Sequence, residues 1–176
     1  MSKHVIIAVL LLGSTAFFTS CDKDKKDNTK TPEPFDQEAM LSNLANEVII
    51  PDLEAFNSTS SQLESQVMAL VNTPNNSNFS TAQSAFISAY NAYQKVAFYN
   101  FGPANNLSLI SNTNTYPTDT ANINTSISQG STDIASASRL DEKGFPALDY
   151  LLFYADKDSI LSRLSHDANY VNYIKA

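Results

Sequence analysis

Gly144-Phe145-Pro146-Ala147-Leu148-Asp149-Tyr150-Leu151-Leu152-Phe153 is the stretch whose reading decides the fold. Gly144 closes the polar run before it. Pro146 is suited to open a helix, because the first helical turn has no partner for the N–H that proline lacks. From there Leu148, Leu151 and Leu152 recur at three- and four-residue spacing, which is one apolar stripe on a helix. This reading places Asp149 in the first turn, where the helix dipole favours a carboxylate. The acid then either complements the dipole or is held for a site.

The same spacing recurs on both sides of this run. Downstream, Asp158 or Ser159 is positioned to cap a last helix with Ile160, Leu161, Leu164, Tyr170, Val171 and Ile174 as its apolar positions. Upstream, Thr118 or Asp119 caps a serine-diluted helix carrying Ile123, Ile127 and Ile134 down to about Leu140. Ser80, with Gln83 three residues on, has the pattern of a capping box. Ala82, Phe86, Ala89, Tyr90, Tyr93, Val96 and Ala97 follow at helical spacing, to a stop near Asn100-Phe101-Gly102-Pro103. Residues 104–116 read as loop. Phe35 to Val71 reads as helix, with Leu41, Leu44 and Val48 before an interruption at Pro51 and Leu53, Phe56, Leu63, Val67 and Leu70 after it. No sustained period-two run appears. The expected fold is an all-α, up-and-down bundle of four main helices with a kink at Pro51.

The amino-terminal region reads differently. Residues 1–20 have a short basic start at Lys3 and His4, an apolar run from Val5 to Leu12, and small residues leading to Cys21, the chain's one cysteine. The run is too short to span a bilayer as a mature helix and has the form of a secretory signal. Phe18-Thr19-Ser20-Cys21 resembles a lipobox. Lipid attachment at Cys21 is the expected anchor to the membrane, and acyl chains there supply more than one buried hydrocarbon tail. Residues 21–34 alternate charges and then turn Asn-, Thr- and Pro-rich, as a tether does. The charged run also resembles a surface-export signal. Residues 35–176 are the expected helical domain.

Composition limits the function classes. The chain is 43% hydrophobic and only 16% charged, with a net charge of −7. That argues against nucleic acid, which attracts a basic face. There is no Gly-rich phosphate loop. One histidine, His166, follows the signal segment, and it reads as an exposed helical side chain.

Four segments together resemble the imelysin-like family. Its signature is Gly-x-His-x-x-Glu followed by Tyr-Leu-Leu-aromatic. Here Gly144 matches, Pro146 stands in the place of the His, and Asp149 in the place of the Glu. The others are Val48-Ile49-Ile50-Pro51, the aromatic-Gly-Pro end of Tyr93 to Pro103, and Tyr116-Pro117-Thr118-Asp119. The resemblance implies a helical fold in two related halves, of which this chain reads as the first, because Tyr173-Ile174-Lys175-Ala176 is still in helical register. It also implies metallopeptidase descent and a link to iron acquisition. A zinc site wants converging His, Cys or carboxylates. With Pro146 in place of the imidazole, one ligand of the signature is lost and Asp149 is the residue left to hold a metal. Asp119, Glu142 or tyrosines are its candidate partners for iron or another hard cation. The function expected is a lipid-anchored, non-catalytic domain of the cell envelope, at the outer membrane, on its periplasmic or its outer surface, with an envelope protein as a further partner. Two alternatives stand beside it: an imelysin-type peptidase completed by a second half, and a purely structural or protein-binding surface domain.

Overall fold

The computed structural model describes residues 34–176, and Cys21 with its signal and tether lies outside them. Among the described residues all regular structure is helical. The compact unit spans Glu38–Ala176. Its spine is a pair of long helices, α2 (Ile50–Asn72) and α3 (Asn76–Val96), joined by a short loop and packed along one another. Before them, α1 (Gln37–Leu44) runs into a π-helical turn at Ala45–Ile49. The expected interruption at Pro51 is this turn. Proline has no N–H and its ring crowds the carbonyl four residues back, here that of Glu47, so the helix widens just ahead of it.

The stripe before Pro51 is not core. Leu41, Leu44 and Val48 are 58%, 45% and 44% exposed. The remaining helices gather around the later part of α2, where Leu63, Val67, Leu70 and Val71 are buried. Spacing marks an apolar face but cannot say how far its partners reach.

The start of α3 lies earlier than the capping box suggested. Asn75 is the cap, its Oδ1 accepting from Asn78 N–H at 2.9 Å. Asn is as good an N-cap as Ser, and it comes first in the chain. Asn75→Ala is expected to cost about 1 kcal/mol, read from a urea titration. Gln83, freed from capping, donates through Nε2 to Leu152 C=O at 3.0 Å and ties α3 to the signature helix.

Past α3 the helices are short, so two long helices and a set of short ones replace the four expected. Residues 104–116 are not plain loop. The helix α4 (Pro103–Asn106) runs into them and α5 (Leu109–Thr113) lies within them. Next, α6 (Thr120–Gln129) is capped by Asp119, as one of the two readings had it. It stops at Gln129, eleven residues before Leu140, because Gly130 takes a left-handed conformation with φ +67°. A 3-10 turn at Ala137–Glu142 then leads to α7 (Gly144–Phe153), α8 (Lys157–His166) and α9 (Ala168–Lys175). The last helix of the sequence reading is thus two helices. Asp156 caps the first and Asp167 the second, each accepting a backbone N–H three residues on at 3.0 Å.

Candidate functional site

The signature segment forms α7, but its geometry differs from the sequence reading. The helix begins at Gly144, so Pro146 lies inside the first turn and Asp149 is in the second. Phe145, Ala147, Leu151 and Leu152 are buried. The Phe145 ring is the hub of an aromatic cluster, with centroids 5.2 Å from Tyr90, 5.4 Å from Tyr93, 5.7 Å from Phe86 and 6.5 Å from Phe56. Burial of this ring draws the start of α7 into the core. Asp149, one helical turn on from Phe145, is exposed.

Asp149 borders a cleft of about 480 Å³. Tyr90 of α3 forms one wall, and Asn114, Tyr116 and Thr118 of the α5–α6 loop another. Pro146, Asp149, Tyr150, Phe153 and Tyr154 complete it from α7 and its end. The loop is pinned against the chain that enters α7. Thr118 Oγ1 donates to Asp141 C=O at 2.6 Å, and Asp119 N–H donates to the same carbonyl at 2.9 Å. Two of the segments that carry the family resemblance, far apart in sequence, thus meet at one cleft.

The hydroxyls of two lining tyrosines are engaged elsewhere. Tyr150 Oη accepts from Asn124 Nδ2 at 2.8 Å, and Tyr154 Oη accepts from Arg163 Nη1 at 3.2 Å. Their rings lie 5.0 Å apart. Among the described residues Asp149 has no hydrogen bond or ion pair, and no Lys, Arg or His lines the cleft. Asn114 Oδ1 is buried at its wall without a partner.

The surrounding apolar wall raises the Asp149 pKa above the ordinary carboxylate value by desolvation. A helix dipole would lower it, so dipole complementation is not what governs this acid. A carboxyl that holds its proton more tightly in the folded chain than in the unfolded one favours folding at low pH. That contribution is lost as pH rises through the folded-state pKa. Asp149→Asn is therefore expected to melt at or above the parent's temperature at pH 7. The gap should close as pH falls through the carboxylate range, which scanning calorimetry across pH checks.

The other carboxylates considered from sequence are committed elsewhere. Asp119 holds Asn122, accepting its backbone N–H at 2.8 Å and its Nδ2 at 2.9 Å. Glu142 is 4% exposed and takes the Arg139 guanidinium on both oxygens, the closest contact being 2.6 Å. Arg139 also donates to Asp133 C=O and Ser126 Oγ. Glu142 C=O accepts from Tyr173 Oη at 2.8 Å, and burial pushes the Tyr173 phenol up to about 12. Glu142 lines a second cavity of about 570 Å³ with Ser60, Leu63 and Ile174, not the Asp149 cleft. His166 is exposed and bonds Ser162 C=O through Nδ1. No group of three or more His, Cys, Asp or Glu able to hold a metal converges among the described residues. Sequence reasoning singled out Asp149, but it read Tyr116 as part of a helix start and Tyr90 as core, so it missed both as cleft walls.

Comparison with known proteins bears on what this cleft descends from. Neither the curated proteins nor the solved structures contain a match to the chain. The family model for Imelysin matches residues 49–176, the span that includes α2 to α9 and both walls of the cleft. On that match, the chain belongs to the imelysin family.

Proposed function

We propose that this protein is a lipid-anchored cell-envelope member of the imelysin family that binds a ligand in the Asp149 cleft and does not hydrolyse peptides. The observation that carries this is the cleft's donor set. A catalytic zinc site uses three protein ligands and an activated water. Here Pro146 offers no ligand atom at the signature's His position, and Asp149 is the one carboxylate lining the cleft. A zinc ion does not fit that set. Two of the tyrosine oxygens that would serve ferric iron are turned to Asn124 and Arg163. The family's link to iron acquisition enters this reading as a role in the same envelope setting, with iron ligation by Asp149 open to direct titration.

Anchoring rests on the sequence of residues 1–34. Acylation of Cys21, after the apolar run and before a charged tether, holds the domain at the outer membrane on either its periplasmic or its outer surface. No described helix is long and apolar enough to cross a membrane.

Two measurements test the proposal. Cys21→Ser is expected to move the protein from the detergent phase to the aqueous phase, and continued membrane partitioning would overturn the anchor. Peptide cleavage is expected to be absent with zinc or iron added. Micromolar zinc binding that Asp149→Ala abolishes, or metal-dependent hydrolysis, would restore the peptidase reading.

A further inference from the structure

The Asp149 cleft carries an unusual combination of groups. Six aromatic rings line it: Tyr90, Tyr116, Phe145, Tyr150, Phe153 and Tyr154. One unpaired carboxylate lies among them, and no cationic side chain answers it. The Tyr150 and Tyr154 hydroxyls each accept a hydrogen bond from outside the cleft lining, from Asn124 and Arg163, while both residues line the cleft. A ring face is electronegative and attracts a cation within about 6 Å of its centroid. Aromatic faces around a single acid fit a large, weakly hydrated cation better than a bare metal ion, which needs several oxygen ligands.

We propose that the cleft is a recognition site for an organic ammonium group, with Asp149 as counter-ion and the tyrosine rings as a cation–π cage. The proposal rests on reading this cleft as a binding site and deepens it by naming the ligand chemistry. A volume of about 480 Å³ accommodates a methylated ammonium head with a short substituent. Filling the cleft with a cation also answers the desolvated carboxyl. The opposite charge favours its ionised form, so binding should release a proton near the carboxylate range and weaken as pH falls through it. The titratable groups facing Asp149 across the cleft are the four tyrosines, so no other carboxylate or imidazole lining it shares that titration.

The test compares choline with 3,3-dimethyl-1-butanol, its uncharged isostere, by chemical-shift titration of the full chain in non-ionic detergent. Choline is expected to shift the cleft's aromatic resonances and to bind at least tenfold more tightly than the isostere. Asp149→Asn is expected to weaken choline at least tenfold and leave the isostere within twofold. Tyr154→Ala is expected to weaken choline severalfold, while Tyr154→Phe, which keeps the ring, stays within twofold of the parent. Equal binding of both probes, indifferent to Asp149→Asn, would overturn the ammonium proposal and leave the cleft a binding site for apolar ligands. Failure of both probes to perturb the cleft would overturn the proposal as well. Metal-dependent peptide cleavage would instead remove the underlying binding reading, and it is scored in a separate assay.

Discussion

Gly144→Ala is expected to be the most damaging small substitution in the chain, with a loss on the order of 3 kcal/mol or more in a urea titration. Two effects add. The residue has φ +76°, a backbone region that side chains with a Cβ rarely occupy. A Cβ built there would also lie 2.2 Å from Thr113 C=O. That oxygen belongs to the backbone at the end of α5, so it cannot swing aside as a flexible side chain would. The start of α7 and the end of α5 would have to separate, and the cleft wall built on Asn114 would move with them. Gly130→Ala is the control. Its φ is +67°, but an added Cβ meets Asn169 Oδ1 at 3.2 Å, the end of a side chain that can turn away. Its cost should stay near the 1–2 kcal/mol of the left-handed conformation alone. Equal losses at the two glycines would show that the Thr113 contact is not what Gly144 serves.

Phe145→Ala is expected to destabilise the domain by about 3–5 kcal/mol, as large-to-small changes of buried aromatic residues do. Phe145 is 6% exposed and contacts rings from both long helices. Losing it removes the buried area together with several aromatic pair contacts, each worth about 0.5–1.5 kcal/mol beyond that area. It also lines both cavities, so its loss enlarges each of them. Phe145→Leu should recover a large part of the stability because it refills most of the volume. A Phe145→Ala loss below 1 kcal/mol, measured by chemical denaturation, would mean that the α7 start is held by the close approach of Gly144 to Thr113 rather than by this ring.

These two neighbours show where sequence reasoning succeeds. Gly144, Leu151 and Leu152 were legible because a glycine stop and helical periodicity are local signals. The cap at Asp119 was legible for the same reason, and so was the disturbance at Pro51. Phe145 was not, because the sequence reading opened the helix at Pro146, one residue after it, although it stands in register with Leu148 and Leu152. Its importance depends on Phe56, Phe86, Tyr90 and Tyr93 arriving from elsewhere in the chain. The stop at Gly130 and the break at Asp167 were missed for a different reason. Each residue also fits inside a longer apolar repeat, and only the competing contacts settle where a helix ends.

The sequence by itself determined the all-helical class, the family and the identity of the altered signature positions, Pro146 and Asp149. Those follow from spacing and residue type, which are properties of a few neighbouring residues. The tertiary structure alone decided what surrounds Asp149. It placed Asp119 and Glu142 in other partnerships, and it brought Tyr90 and Tyr116 to the acid from distant helices and loops. It left the carboxylate unpaired in an aromatic wall, which raises its pKa instead of lowering it. The physical reason is that desolvation and charge pairing depend on distances across the fold, and no local pattern along the chain encodes them.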